Sequence, residues 1–183
     1  SKLAYNDWLK EKGYDGENPW NDWANAAEGP NGEILSAWNL RYSNLPARVA
    51  KEHSETAYMT MRAKEFIEEQ GERPWLCHLS YIKPHWPYIV PAPYHNMFGE
   101  QHVPAPVRDD VEQIDPQPVF GAYMQNKIAT AFQTEEVRQK VIPAYMGLIK
   151  QCDDQLGVLL DHLEETDQLK DTMIVLTSDH GDY

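Results

Sequence analysis

Close to its C-terminal end the chain runs Met173, Ile174, Val175, Leu176 and then, three residues on, into Asp179, His180 and Gly181. A short unbroken apolar run of this kind fits a strand covered on both faces, the environment of a parallel sheet. Parallel strands need long crossover connections, so a chain built around such a run falls in the α/β class. The run stops abruptly in an acid, an imidazole and a glycine. In open α/β sheets, ligand sites gather past the carboxyl ends of the strands. A carboxylate beside an imidazole at that point suits a divalent cation, and Gly181 permits a sharp turn next to it. The plainer reading is that Asp179 caps a following helix while His180 packs.

A length of 183 residues suffices for one domain with a core. The formal charge of −13 argues against a nucleic-acid backbone or an anionic membrane as the main partner. An anionic substrate stays compatible with it, because a metal ion and one lysine reverse the field locally. No apolar run approaches the roughly 20 residues that span a bilayer. The chain starts at Ser1 without an initiator Met. A missing or processed N-terminus is therefore expected, and the compartment, cytoplasm or periplasm, stays open. The two cysteines, Cys77 and Cys152, form no CxxC motif and read as buried thiols acting as small hydrophobes.

Residues 1–50 hold four tryptophans, Trp8, Trp20, Trp23 and Trp38, without sustained periodicity. They read as a loop-rich insertion with one short helix near Tyr5–Lys12, and their aromatics as packing or as the lining of a substrate pocket. Ser54 caps a predicted helix running to about Gln70, with Tyr58, Met61, Phe66 and Ile67 inward and Gly71 ending it. Trp75–Ile82 is an apolar run of strand length. Eight prolines between Pro84 and Pro118 exclude a helix or central strand, and predict a long ordered surface loop. A second helix is predicted over about Pro143–Glu165. On it Tyr145, Leu148, Ile149, Cys152, Leu156, Leu159, Leu160 and Leu163 make the inner stripe, and Asp153 and Asp154 are solvated. A polar link, Thr166–Asp171, feeds the final strand. Strand, loop, helix, strand is a parallel crossover unit, so both strand ends should open on one rim.

On that rim lies Lys83-Pro84-His85. Pro84 disfavours coiling of the segment, and in an extended chain residues two apart project to one side, roughly 6.6 Å apart. Lys83 would then hold an anionic group while His85, with an imidazole suited to proton transfer near neutrality, serves a leaving oxygen. A snorkelling lysine and a loop histidine are the bland alternative. His53, His78, His95, His102 and His162 follow no ligand spacing.

Taken in order, three stretches resemble the sulfatase family of the alkaline phosphatase superfamily, of the phosphonate monoester hydrolase and arylsulfatase type. They are Leu79-Ser-Tyr-Ile-Lys-Pro-His-Trp-Pro-Tyr88; Tyr94-His-Asn-Met-Phe98 with Val103-Pro-Ala-Pro-Val-Arg108; and Tyr145 to Gly157 followed by Thr172 to Gly181. The likeness covers about residues 75–183. It implies an α/β fold, an alkaline-phosphatase-like sandwich with a largely parallel sheet flanked by helices, present here as an incomplete segment. Residues 1–183 would be part of one catalytic domain, with 1–70 a loop-rich insertion plus helix and 71–183 the strand, Pro-rich loop, helix and strand core.

The resemblance further implies a hydrolase of sulfate or phosphonate/phosphate esters acting on a small-molecule or carbohydrate ester. Asp179 and His180 would bind one divalent metal ion (calcium, manganese or zinc), with His85 and Lys83 at the transferred group. The imidazole ligand tilts the metal toward manganese or zinc. The family's nucleophile is a formylglycine made in a Cys/Ser-x-Pro/Ala-x-Arg motif. Cys77 is followed by His-Leu-Ser and Cys152 by Asp-Asp-Gln, so the nucleophile is expected outside this segment, and the segment alone is expected to be inactive. A two-metal phosphatase or phosphodiesterase, and a non-catalytic carbohydrate- or protein-binding module, stay as rivals. No nucleic acid or membrane partner is expected, and a homo-oligomer stays open.

Overall fold

A computed structural model describes residues 2–107, 109, 111–126, 131–132 and 134–181. Residues 1–50, expected as loops with one short helix near Tyr5–Lys12, hold that helix and are otherwise more regular than their composition predicts. α1 (Lys2–Glu11) sets Tyr5 and Leu9 one turn apart on one face, and both are buried. Gly13, at φ +88°, follows in a backbone region that other residues reach only with strain. A π-helical turn, Trp20–Ala24, leads to an antiparallel hairpin of β1 (Ala26–Glu28) and β2 (Ile34–Ser36), with Ala27 opposite Leu35. Tyr5, Leu9, Trp20, Ala27 and Val49 share one core with Tyr58 and Ile89. The large apolar area of the aromatic rings supplies the burial that a periodic pattern supplies elsewhere.

Two helices carry the rest. α2 (Glu55–Gln70) is capped as its sequence predicts: Ser54 Oγ accepts from the Ala57 N–H at 3.3 Å, and Gly71 takes φ +59° after its last turn. Its buried face is Thr56, Tyr58, Thr60, Ala63 and Ile67, with Met61 and Phe66 only partly covered. α5 spans Glu135–Glu165, two turns longer than predicted, because Pro143 lies inside it rather than opening it. A proline there forfeits one backbone bond, which the packing of Val141, Ala144 and Leu148 outweighs. The two helices pack together, and Gln151 donates to Ser54 Oγ at 2.9 Å across the buried seam. Gly147 faces the Tyr94 carbonyl so closely that a Cβ would lie 2.5 Å from its oxygen.

The proline-rich segment departs from the surface loop expected. Tyr88, Ile89 and Val90 are buried, and β4 (Val90–Pro91) pairs parallel with β3 (Pro46–Ala47). Two short helices, α3 (Val111–Ile114) and α4 (Pro118–Met124), follow. The segments at Trp75–Ile82 and Met173–Leu176, expected as strands, form no regular strand and pair with no other strand among the described residues. Leu76 is 91% exposed and Met173 88%. Their composition predicts cover on both faces, but cover must come from neighbouring strands and layers, which a strand cannot supply for itself. The inner face of the first segment is placed: Tyr81 Oη and Thr60 Oγ1 of α2 lie 2.7 Å apart. No described helix is long and apolar enough to cross a membrane.

Candidate active site

The two segments meet at both ends. Near their starts, Trp75 Nε1 donates to Gln168 Oε1 at 3.3 Å; past their ends, the His85 and His180 rings stand 6.0 Å apart at 74°. One crossover, made of the proline segment and α5, joins them, so the chain path itself brings the two motifs together.

His85 sits in a turn rather than an extended stretch. Its N–H donates to the Ile82 carbonyl at 3.1 Å, and its Nδ1 lies 2.8 Å from the Trp86 carbonyl. A carbonyl only accepts, so Nδ1 carries the proton and Nε2 holds the lone pair of the neutral ring. Proton donation from Nε2 therefore requires the imidazolium form. The residue is exposed.

Asp179 and His180 are also exposed. The Asp179 carboxylate accepts from the His180 N–H at 3.0 Å, and His180 Nδ1 donates to the Gly181 carbonyl at 2.7 Å. The same tautomer logic leaves the His180 Nε2 lone pair on the Asp179 side, 3.6 Å from Oδ2. Two donors at that spacing suit one divalent ion with bonds of about 2.0–2.2 Å. The described residues include no group of three or more His, Cys, Asp or Glu side chains able to hold a metal, so this pair is at most part of a ligand set.

Lys83 is not on the rim. Because the chain turns at 83–87, its side chain runs inward, and Nζ donates to the Pro87 carbonyl at 2.5 Å and to Asn25 Oδ1 at 3.3 Å. The residue is partly exposed as a whole, but its ammonium is desolvated. Burial brings its pKa down to about 8, with Glu55 and Cys152 pulling the other way. The cavity beside it, lined also by Ser54, Glu55 and Gln151, is ≈ 10 Å³, room for about one water and far too small for a tetrahedral anion. The expected pairing of Lys83 with His85 on one face is thus corrected.

Sequence reading missed the residues under this turn. Asn25 is buried and donates from Nδ2 to the Trp20 carbonyl at 2.9 Å, and Trp20 Nε1 donates to Glu55 Oε2 at 3.1 Å. The one signal was a lone Asn inside the small apolar stretch Ala24–Ala27. Cys77 and Cys152, expected buried, are both half-buried; at Cys152 burial pushes the pKa up to about 11, and Sγ donates to the Lys83 carbonyl at 3.4 Å. Asp154 is less solvated than predicted, accepting from Tyr94 Oη at 2.9 Å and pairing with Lys150. The remaining histidines gather into no cluster; His53 lies within 2.9 Å of Tyr14 Oη and His162 within 3.6 Å of Glu68.

The fold, two segments joined by one crossover and flanked by helices, has alkaline-phosphatase-like hydrolases as its structural neighbours. A phosphonate monoester hydrolase from Silicibacter pomeroyi superposes with a TM-score of 0.75 at 28% identity, over 92% of this chain and 34% of that one. The sulfatase family model matches residues 5–183, and the chain belongs to that family. It is 34% identical over 151 residues to the multifunctional alkaline phosphatase superfamily protein PehA of Trinickia caryophylli, covering 75% of this chain and 29% of the relative. It is 28% identical over 116 residues to the choline-sulfatase of Rhizobium meliloti (strain 1021), covering 63% and 23%. The chain thus spans about a third or less of the relatives it matches.

Proposed function

We propose that this chain supplies part of the catalytic centre of a metal-dependent hydrolase of sulfate or phosphonate/phosphate esters. The observation that carries the reading is the approach of the His85 and His180 rings to 6.0 Å from two separate segments, within a chain of the sulfatase family. Asp179 and His180 would hold one divalent ion, calcium, manganese or zinc. When bound, that ion supplies positive charge toward the anionic ester oxygens. His85, as imidazolium, gives its Nε2 proton to the leaving oxygen, which otherwise departs as an unstabilised alkoxide or phenoxide.

The nucleophile belongs to another part of the protein, with formylglycine the family's expected group; Cys77 and Cys152 lack the motif that would make one. Sulfate and phosphonate esters both present tetrahedral anions, and support for each comes from a relative's name. The test uses the full-length protein with phenyl and 4-nitrophenyl esters of sulfate and of phenylphosphonate. His85→Ala is expected to slow the phenyl esters by about 10²–10⁴-fold and the 4-nitrophenyl esters far less, because the good leaving group needs no proton. Equal losses with both would remove the acid role.

A further inference from the structure

We infer that Lys83 is a positioning residue for His85, its ammonium fastening the 83–87 turn from inside so that the imidazole stands toward the Asp179–His180 end of the neighbouring segment. This rests on the acid role assigned to His85 above and specifies how that role is held in place.

Lys83 and Pro87 flank His85 by two residues on either side, so the contact from Lys83 Nζ to the Pro87 carbonyl closes a ring of chain around it. The ring is tied to the body at three points. Nζ reaches Asn25 Oδ1 in the N-terminal layer, the Lys83 carbonyl accepts from Cys152 of α5, and Pro87 is buried. Asn25 is itself held by the Trp20 carbonyl, so the anchor under the ammonium does not swing. The imidazole, by contrast, is exposed, and its Nδ1 bonds to Trp86, inside the same ring. Its direction is therefore inherited from the backbone of the turn. An apolar side chain at 83 would fill the space but leave the Pro87 carbonyl without this donor and the ring open. A misplacement of about 1 Å at a proton donor is enough to lower a rate by about 10²-fold.

The experiment is a double-mutant cycle in the full-length protein, read with phenyl and 4-nitrophenyl sulfate and phenylphosphonate. Lys83→Met keeps the stem and removes the donor. It is expected to lower kcat for the phenyl esters about 10–100-fold, at least tenfold more than for the 4-nitrophenyl esters, with KM within about twofold. In the His85→Ala background the same substitution should change kcat less than about twofold, since the residue it positions is gone. Lys83→Arg should not rescue, because a planar guanidinium does not fit a cavity of ≈ 10 Å³. Asn25→Ala, which keeps the lysine and loosens its anchor, should give a smaller loss of the same selectivity, and stands in if Lys83→Met does not fold. A loss equal for both leaving groups, or one that persists undiminished in the His85→Ala background, overturns the positioning role while the acid role stands. An unselective His85→Ala enzyme overturns both.

Discussion

Replacing Lys83 with methionine also removes a buried cation, and the pH dependence of stability isolates that effect from every lost contact. The lysine falls from 10.5 to about 8, chiefly through desolvation, while the Glu55 carboxylate and Cys152 oppose the fall. A lowered lysine pKa means the folded state binds this proton less tightly than the unfolded chain does. The penalty of burying the cation is fully present below pH 8, shrinks as pH rises from 8 to 10.5, and is gone above 10.5. At 1.36 kcal/mol per pKa unit the whole penalty is about 3 kcal/mol, most of which is relieved between pH 7 and pH 10. Urea unfolding of full-length wild type and Lys83→Met at pH 7, 8, 9 and 10 measures it. Titratable groups that do not interact with Lys83 titrate alike in both proteins and cancel in the difference. Wild type should gain on the variant by about 2–3 kcal/mol across that range, whichever protein is the more stable at pH 7. A difference that stays constant with pH would refute the buried, desolvated ammonium.

Three further outcomes are expected. Asp179→Asn, which removes a charged oxygen from a two-donor edge, should lower the metal content of the purified full-length protein in elemental analysis, and unchanged content would remove Asp179 from the ligand set. Gly147→Ala places a Cβ 2.5 Å from the Tyr94 backbone oxygen. The clash, about 1–3 kcal/mol, should exceed the helix-propensity gain of about 1 kcal/mol, so a lowered Tm checks it. Cys152, pushed up to about 11 by burial, should resist iodoacetamide at pH 8 when its peptide is followed by mass spectrometry; rapid labelling in the folded protein would contradict its covered position.

Much of the architecture was legible because it rests on local chemistry. Ser54 and Gly71 bound α2 through a cap and a positive φ, features set by residues within one turn of each end. Helical spacing marked the inner face of α5 only in part: Leu148 and Leu163 are buried, Tyr145, Cys152, Leu156, Leu159 and Leu160 are half-buried, and Ile149, expected inward, is 45% exposed. The order of the Lys83-Pro84-His85 and Asp179-His180-Gly181 motifs was readable too, and so was their common side, since a crossover connection returns the chain in the same direction. Residues 1–50 were harder, because their order comes from rings packing at long range rather than from a period. Trp20 meets Trp38 and Glu55, for instance, which no window of sequence contains.

What the amino-acid order determined alone was which residues can do chemistry and which segments can carry them. It could not say where a side chain points once the backbone bends. Lys83 and His85 are two apart, and in an extended chain they would share a face. The turn closed by Ile82 and Pro87 sends one inward to Asn25 and leaves the other exposed near His180. Only tertiary structure decided that. The direction of a long, flexible side chain depends on the partners within its reach, and those partners come from residues far away in sequence.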